Sequence, residues 1–206
     1  PTIAPFILPD FLARLRTRHP QLQLALREDK THELLLRLED GRLDFALIAL
    51  PYETDRLRIA PLFGDPLYVV GRQDDPALAE PIELTETLTS RLLLLEEGHC
   101  LREHALAACH KEAGHPPTGL EATSLLTLVQ MVESGLGLCL LPEMALKSHL
   151  MDRSELLARP LPAPSPQRII ALAARSTTSR TAEFQAFADI LRDIRKEGKG
   201  FRTVRD

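Results

Sequence analysis

"RLLLLEEGHCLREHALAACHKEAG", residues 91–114, changes its period in the middle, and that change decides the fold. Residues 91–97 carry an unbroken apolar run closed by Glu96 and Glu97, the pattern of a buried strand. Beyond Gly98 the apolar residues take helical spacing, which predicts a helix over 101–114. A strand that feeds a helix through a short turn is the first half of a βα unit, and such units build sheets covered by helices.

The alternation continues on both sides. Upstream, "APFILPDFLARLRTRHP" (4–20) is a helix stopped at Pro20, and "LQLALRE" (22–28) alternates like a strand. "THELLLRLEDG" (31–41) is a short amphipathic helix ending at Gly41, and "DFALIAL" (44–50) is a buried strand. "LRIAPLFGDPLYVVG" (57–71) reads as two strand pieces broken at Gly64-Asp65-Pro66. Downstream come a strand over 120–124, a helix over 125–135, a strand over 136–142 and a short helix over 143–150. The Pro-rich passage 157–175 runs into a strand, and a helix over 180–198 precedes a polar tail.

This pattern predicts an α/β fold with mixed, mainly parallel sheets and helices on both faces. No repeat of fixed period and no low-complexity linker interrupts it. The Pro-rich breaks near 64–66 and 160–166 divide the chain into one subdomain of residues 1–65 and 168–206 and a second of residues 66–167. Two-lobed α/β folds bind small molecules in the cleft between lobes.

Composition excludes several classes. The 206 residues are 44% hydrophobic and 26% charged, as in ordinary globular proteins. The apolar runs 91–95 and 136–142 are far too short to span a membrane. The opening "PTIAPF" lacks the elements of a secretory signal, and a first residue other than Met reads as a fragment or processed chain with sequence upstream. A net charge of −4 and a pI near 6.0 give no basic face for DNA. Three cysteines form no disulfide framework, so the expected setting is the reducing cytoplasm, where a disulfide is transient and functional.

Ligands of open α/β sheets sit beyond the carboxyl ends of strands, at helix N-termini. Four turns are of that kind: Pro1-Thr2, Lys30-Thr31-His32, Gly98-His99-Cys100 and Ala122-Thr123-Ser124. Each supplies a hydroxyl or thiol where backbone N–H groups lack partners; plain capping explains any one of them.

Cys100 falls at the start of its helix, where the dipole favours a thiolate; His99 and Arg102 add to this, and Glu96 and Glu97 oppose it. Cys109 falls in the helix body beside Leu106, Ala107 and Ala108, where a thiol stays protonated. Nine residues of continuous helix separate their α-carbons by about 13 Å and turn them to opposite faces. A disulfide needs about 4.4–6.8 Å. The two cysteines therefore bond only if the helix unwinds, which would make oxidation a conformational switch. Other readings stay open on spacing alone. The cysteines can be core residues, or Cys100 and His104 with His99, Cys109, His110 or His115 can hold a metal, although no C-x-x-C pair is present. A Cys–His nucleophile is a further option, with no oxyanion motif to support it. Cys139, in "LGLCLLP", reads as a core thiol.

The segment "LLLLEEGHCLREHALAACHKEAG", with its G-H-C-L-R stretch and a second cysteine nine residues on, resembles the redox segment of the OxyR family, the peroxide-sensing branch of the LysR-type transcriptional regulators. "PTIAPFILP", "THELLLRLEDGRLDFALIAL", "PLFGDPL", "ATSLLTLVQMVESGLGLCLLP" and "QRIIALAAR" extend the resemblance over nearly the whole chain. Absent are that family's winged helix-turn-helix, its linker helix and the first strand of its regulatory domain.

The resemblance implies two Rossmann-like subdomains arranged as in periplasmic binding proteins. It implies that hydrogen peroxide oxidises Cys100 to a sulfenic acid and that Cys109 resolves this to an intramolecular disulfide. Thr2, Thr31, His99, Arg102 and Arg168 match polar residues around the peroxide pocket, and Thr123 and Ser124 match the turn lining the effector cleft of related regulators. Glu103 stands where the family also accepts Asp, and Cys139 matches no redox position. The resemblance implies no cofactor or metal. It implies a homodimer of this domain, a tetramer of the longer protein, promoter DNA and RNA polymerase as partners, and a glutaredoxin- or thioredoxin-type reductant. Two rival readings are a LysR-type domain sensing an organic effector and a thiol peroxidase; the lack of GxGxxG or P-loop motifs disfavours cofactor enzymes.

Overall fold

Proline at the second helical position starts helix α1 (Ala4–Arg18), where a missing N–H costs nothing. Its Ile7, Phe11 and Leu15 form a buried stripe at four-residue spacing. This computed structural model describes residues 1–52, 56–109, 118–151 and 155–197. They divide into two α/β units: Ile3–Gly64 with the chain from Ile169 through the last helix, and Asp65–Arg168 together with Thr2.

In the first unit α1 packs on the last helix, α7 (Thr181–Glu197), through an edge-to-face contact of Phe11 with Phe187 at 5.2 Å. Strand β1 (Phe45–Leu50) runs antiparallel to β7 (Gln167–Arg175), with Leu47 opposite Leu172. Helix α2 (Thr31–Glu39) covers β1, burying Leu38 against Ala46, Ile48 and Ala173. Arg175 closes the end of α2: its Nη1 donates to the carbonyls of Leu38 (2.7 Å) and Leu43 (2.8 Å). The chain turns between them at Gly41, whose φ of 75° suits glycine. Leu38→Ala should destabilise the protein by about 2–5 kcal/mol through the cavity it leaves. Urea titration with an unchanged m-value would check this; a loss under about 1 kcal/mol would show that the site collapses.

In the second unit the long strand β2 (Leu57–Arg72), which begins in the first unit, lies between β5 (Cys139–Pro142) and β6 (Leu156–Pro160). Both pair antiparallel to it, with Tyr68 opposite Leu141 and Pro160. Strands β3 (Leu94–Leu95) and β4 (Glu121–Ala122) pair in parallel, extended by a parallel bridge from Leu92 to Leu138. The unit's helices are α3 (Glu86–Thr89), α4 (Cys100–Ala108), α5 (Leu125–Glu133) and α6 (Glu143–Leu146), and the apolar face of α5 packs on β3, β4 and β5.

Several elements differ from expectation for physical reasons. Gly64-Asp65-Pro66 does not break the strand: β2 runs through it, because Asp65 finds buried partners and proline's fixed φ is compatible with extended backbone. The sheets are mixed, as expected, but their longest ladders are antiparallel, because β2 and β7 run opposite to the strands they pair with. Residues 22–28 alternate but form no strand, and Leu24 and Leu26 stand exposed, since alternation becomes a strand only where a partner supplies the ladder. The run 91–97 yields only the two residues of β3.

Candidate functional site

The turn from β3 into α4 sets the site. Gly98 adopts a φ of 88°, which sends the chain sharply into the helix; His99 is its N-cap and Cys100 its first residue. Cys100 is therefore buried at a helix N-terminus, where unpaired N–H groups and the dipole favour negative charge. Its sulfur lies 3.6 Å from the Thr2 hydroxyl oxygen.

Thr2 is itself held. Arg168, in β7, donates from Nη1 to Thr2 Oγ1 and from Nη2 to the Thr2 carbonyl, each at 2.8 Å. Its Nε donates to Asp65 Oδ2 at 3.0 Å, and Asp65 Oδ1 accepts the Met144 N–H at 3.1 Å. The Met144 thioether lies 3.5 Å from Arg168 Nη2. Exposure is 0% for Arg168, 1% for Asp65 and 2% for Thr2, so water screens none of these bonds. All these residues belong to the second unit.

Cys109 stands at the other end of α4. It is the C-cap, not a residue of the helix body, since α4 runs to Ala108; residues 110–114 of the expected helix lie outside the described residues. Its N–H is shared between the carbonyls of Ala105 (3.2 Å) and Leu106 (3.1 Å). The two thiols thus bracket a helix nine residues long, with α-carbons about 13 Å apart. No disulfide joins Cys100, Cys109 or Cys139.

Other named residues fall in different places. Arg102, buried on the first turn of α4, donates from Nη1 to the Leu95 carbonyl (2.9 Å) and to Glu121 (2.7 Å), clamping α4 to β3 and β4. His99 is buried with Nε2 3.6 Å from Glu96. Thr31 is the buried first residue of α2, in the first unit. Thr123 and Ser124 are exposed, and Ser124 caps α5 by accepting the Thr127 N–H at 3.1 Å. His104 Nδ1 meets the Cys100 carbonyl at 2.5 Å. Among the described residues no group of His, Cys, Asp or Glu is placed to hold a metal ion; His110 and His115 lie outside them.

Sequence reading missed Asp65 and Met144. A single charged residue inside a stretch such as 59–71 is the signal that would have found Asp65, since a buried charge requires a partner. Cys139, fully buried in β5, has its thiol titration pushed far up by burial. Held neutral, it should resist alkylation across the neutral range and react only on global unfolding, which thiol labelling along a urea series checks. Labelling of the folded protein would contradict this.

Residues 1–195 match the LysR substrate binding domain. The chain is 41% identical over 195 residues to the HTH-type transcriptional regulator EstR of Acinetobacter baylyi, covering 94% of this chain and 64% of that protein. It is 34% identical over 193 residues to the DNA-binding transcriptional dual regulator OxyR of Escherichia coli K12, covering 93% of this chain and 63% of that protein. The chain thus spans less than two thirds of these relatives' length. Among solved structures, the reduced form of the regulatory domain of OxyR2 from Vibrio vulnificus matches with a TM-score of 0.85 and 38% identity, covering 94% of this chain and 92% of that one.

Proposed function

Because this chain belongs to the LysR substrate binding domain family, with the two-unit α/β fold of such regulatory domains, we propose that it is the peroxide-sensing part of a transcription regulator. The observation that carries the reading is a buried thiol at a helix start, beside a Thr2 held by Arg168, with a second thiol at that helix's end.

The Cys100 thiolate attacks one oxygen of hydrogen peroxide. An S–O bond forms, the O–O bond breaks, and the leaving hydroxide takes up a proton to give water. Thr2 orients the peroxide or the sulfur by hydrogen bonding, and Arg168 steadies the developing negative charge. Cys109 then attacks the Cys100 sulfenic acid, releasing water and closing a disulfide. One peroxide oxidises two thiols, and two electrons from a glutaredoxin- or thioredoxin-type reductant restore them. The protein acts stoichiometrically as a sensor and not by turnover. In the longer cytoplasmic regulator this domain forms a homodimer within a tetramer, and remodelling of α4 alters the spacing of the DNA-binding parts on promoter DNA and their engagement of RNA polymerase. His99 and Arg102 support the pocket in this reading. No helix among the described residues is long and apolar enough to cross a membrane.

The test is titration of the reduced protein with one equivalent of hydrogen peroxide. Two thiols should disappear and one Cys100–Cys109 disulfide should be found by peptide mapping, while Cys109→Ser should stop at the sulfenic acid. A Cys100→Ser protein that reacts as fast as the parent would overturn the reading. A second reading, an organic effector sensed through the Thr123–Ser124 turn, is favoured by the 41% identity to EstR, whose name mentions no peroxide. It requires thermal stabilisation by that effector and indifference to peroxide.

A further inference from the structure

Asp65 is buried at 1% exposure and commits both carboxylate oxygens, one to Arg168 Nε and one to the Met144 N–H. Pinned at Nε, the Arg168 guanidinium can present its two Nη groups in only one direction, and both reach Thr2. Arginine only donates, so Thr2 Oγ1 is an acceptor toward Arg168 and its single hydrogen must point elsewhere. At 2% exposure Thr2 has no bulk water to turn to, and the Cys100 sulfur lies 3.6 Å away. When Cys100 is a thiolate only Thr2 can be the donor in that contact.

We propose that Asp65 is a positioning residue for Cys100: it fixes the guanidinium of Arg168, which turns the Thr2 hydroxyl hydrogen onto the Cys100 sulfur. The inference rests on reading Cys100 as the peroxide-reactive thiol, and names the residue that sets its hydrogen bond.

Charge and position make opposite predictions here. As a charge, Asp65 cancels that of Arg168 and works against a thiolate, so removing it would help Cys100 ionise and react. As a positioning group, Asp65 is needed, and removing it harms both. Asp65→Asn separates the two at nearly constant shape. The asparagine oxygen can keep the Met144 N–H, and its NH2 then opposes the Arg168 Nε–H, donor against donor, and the guanidinium loses its orientation.

The experiment uses Cys109→Ser/Cys139→Ser protein, which leaves Cys100 as the sole thiol of the three. Two readouts are taken: the pH profile of alkylation by iodoacetamide, and the second-order rate of sulfenic acid formation with hydrogen peroxide. Asp65→Asn should move the alkylation profile to higher pH and slow the peroxide reaction roughly tenfold to a hundredfold, the effect of one charge-assisted hydrogen bond. Thr2→Val should do the same. Because both act through one hydrogen, adding Asp65→Asn to Thr2→Val should change the rate by less than about twofold. An Asp65→Asn protein that alkylates at parental or lower pH, or effects of the two variants that multiply, overturns the proposal. Should Asp65→Asn fail to fold, Asp65→Leu/Arg168→Met removes the pair without leaving a charge behind. It should match the Thr2→Val profile; a parental profile overturns the proposal. If no variant nor the parent reacts with peroxide while the alkylation profile still follows Asp65, the peroxide reading fails and the positioning role stands.

Discussion

One equivalent of hydrogen peroxide should strip hydrogen-exchange protection from α4 (Cys100–Ala108) by about a hundredfold or more, while α1 and α7 keep theirs. The reason is geometric. The α-carbons of Cys100 and Cys109 are about 13 Å apart while the helix stands, and a disulfide tolerates about 4.4–6.8 Å. Closing that gap breaks bonds that hold the helix ends, including those from the Cys109 N–H to Ala105 and Leu106. It also acts against the Arg102 clamp on Leu95 and Glu121, since that side chain rides on the first turn. Cys109→Ser protein treated identically should stop at the sulfenic acid and keep its α4 protection. A closed disulfide with α4 amides still protected would show that the helix accommodates the bridge, and would remove the conformational half of the proposed mechanism.

Arg168→Met should destabilise the protein by about 3–5 kcal/mol, the cost of removing one partner of a buried ion pair. Asp65 gives one oxygen to Arg168 Nε and the other to the Met144 N–H, so Arg168 is a charged partner of this buried carboxylate. The penalty should shrink in acid, where Asp65 can be buried as the neutral acid. The sign is set by burial, which favours the protonated form in the folded variant relative to the unfolded chain, so stability is lost as pH rises. Asp65→Leu in the Arg168→Met background should recover most of the loss. Urea denaturation at neutral and acid pH measures both effects. A single variant within about 1 kcal/mol of the parent would mean that the pair is solvated or dispensable.

The order of strands and helices is legible because it rests on period, which neighbouring residues carry. The buried stripe of α1 and the apolar run of β1 can be read without knowing what they touch. Pairing is another matter. Residues 22–28 have the alternation of a strand yet no ladder, and β2 continues through a Gly-Asp-Pro sequence that locally spells a turn. Both outcomes were decided by partners distant in sequence. The same holds at the site. The thiols and the helix between them are visible as spacing, whereas Thr2 lies 98 residues from Cys100 and 166 from Arg168. The turn before the first helix marks Thr2 in advance, only the family resemblance names Arg168, and neither singles out Asp65. The end of α4 at Ala108 is also illegible, since no glycine or proline stands there and Cys109 caps it through its main-chain N–H.

In the proposed mechanism helix α4, bracketed by its two thiols, also sets how long an oxidation event is remembered. Every contact that the disulfide forces the helix to give up is recovered on reduction, so it raises the potential at which the bridge is reduced. About 1.4 kcal/mol of forfeited helix and clamp energy corresponds to about 30 mV in a two-electron couple. In that mechanism the Arg102 clamp, the buried Leu101 and Leu106, and the carbonyls that cap Cys109 form a clock spring that peroxide would wind. A tighter reduced helix gives a shorter oxidised lifetime against the same reductant, and a looser one lets the signal persist.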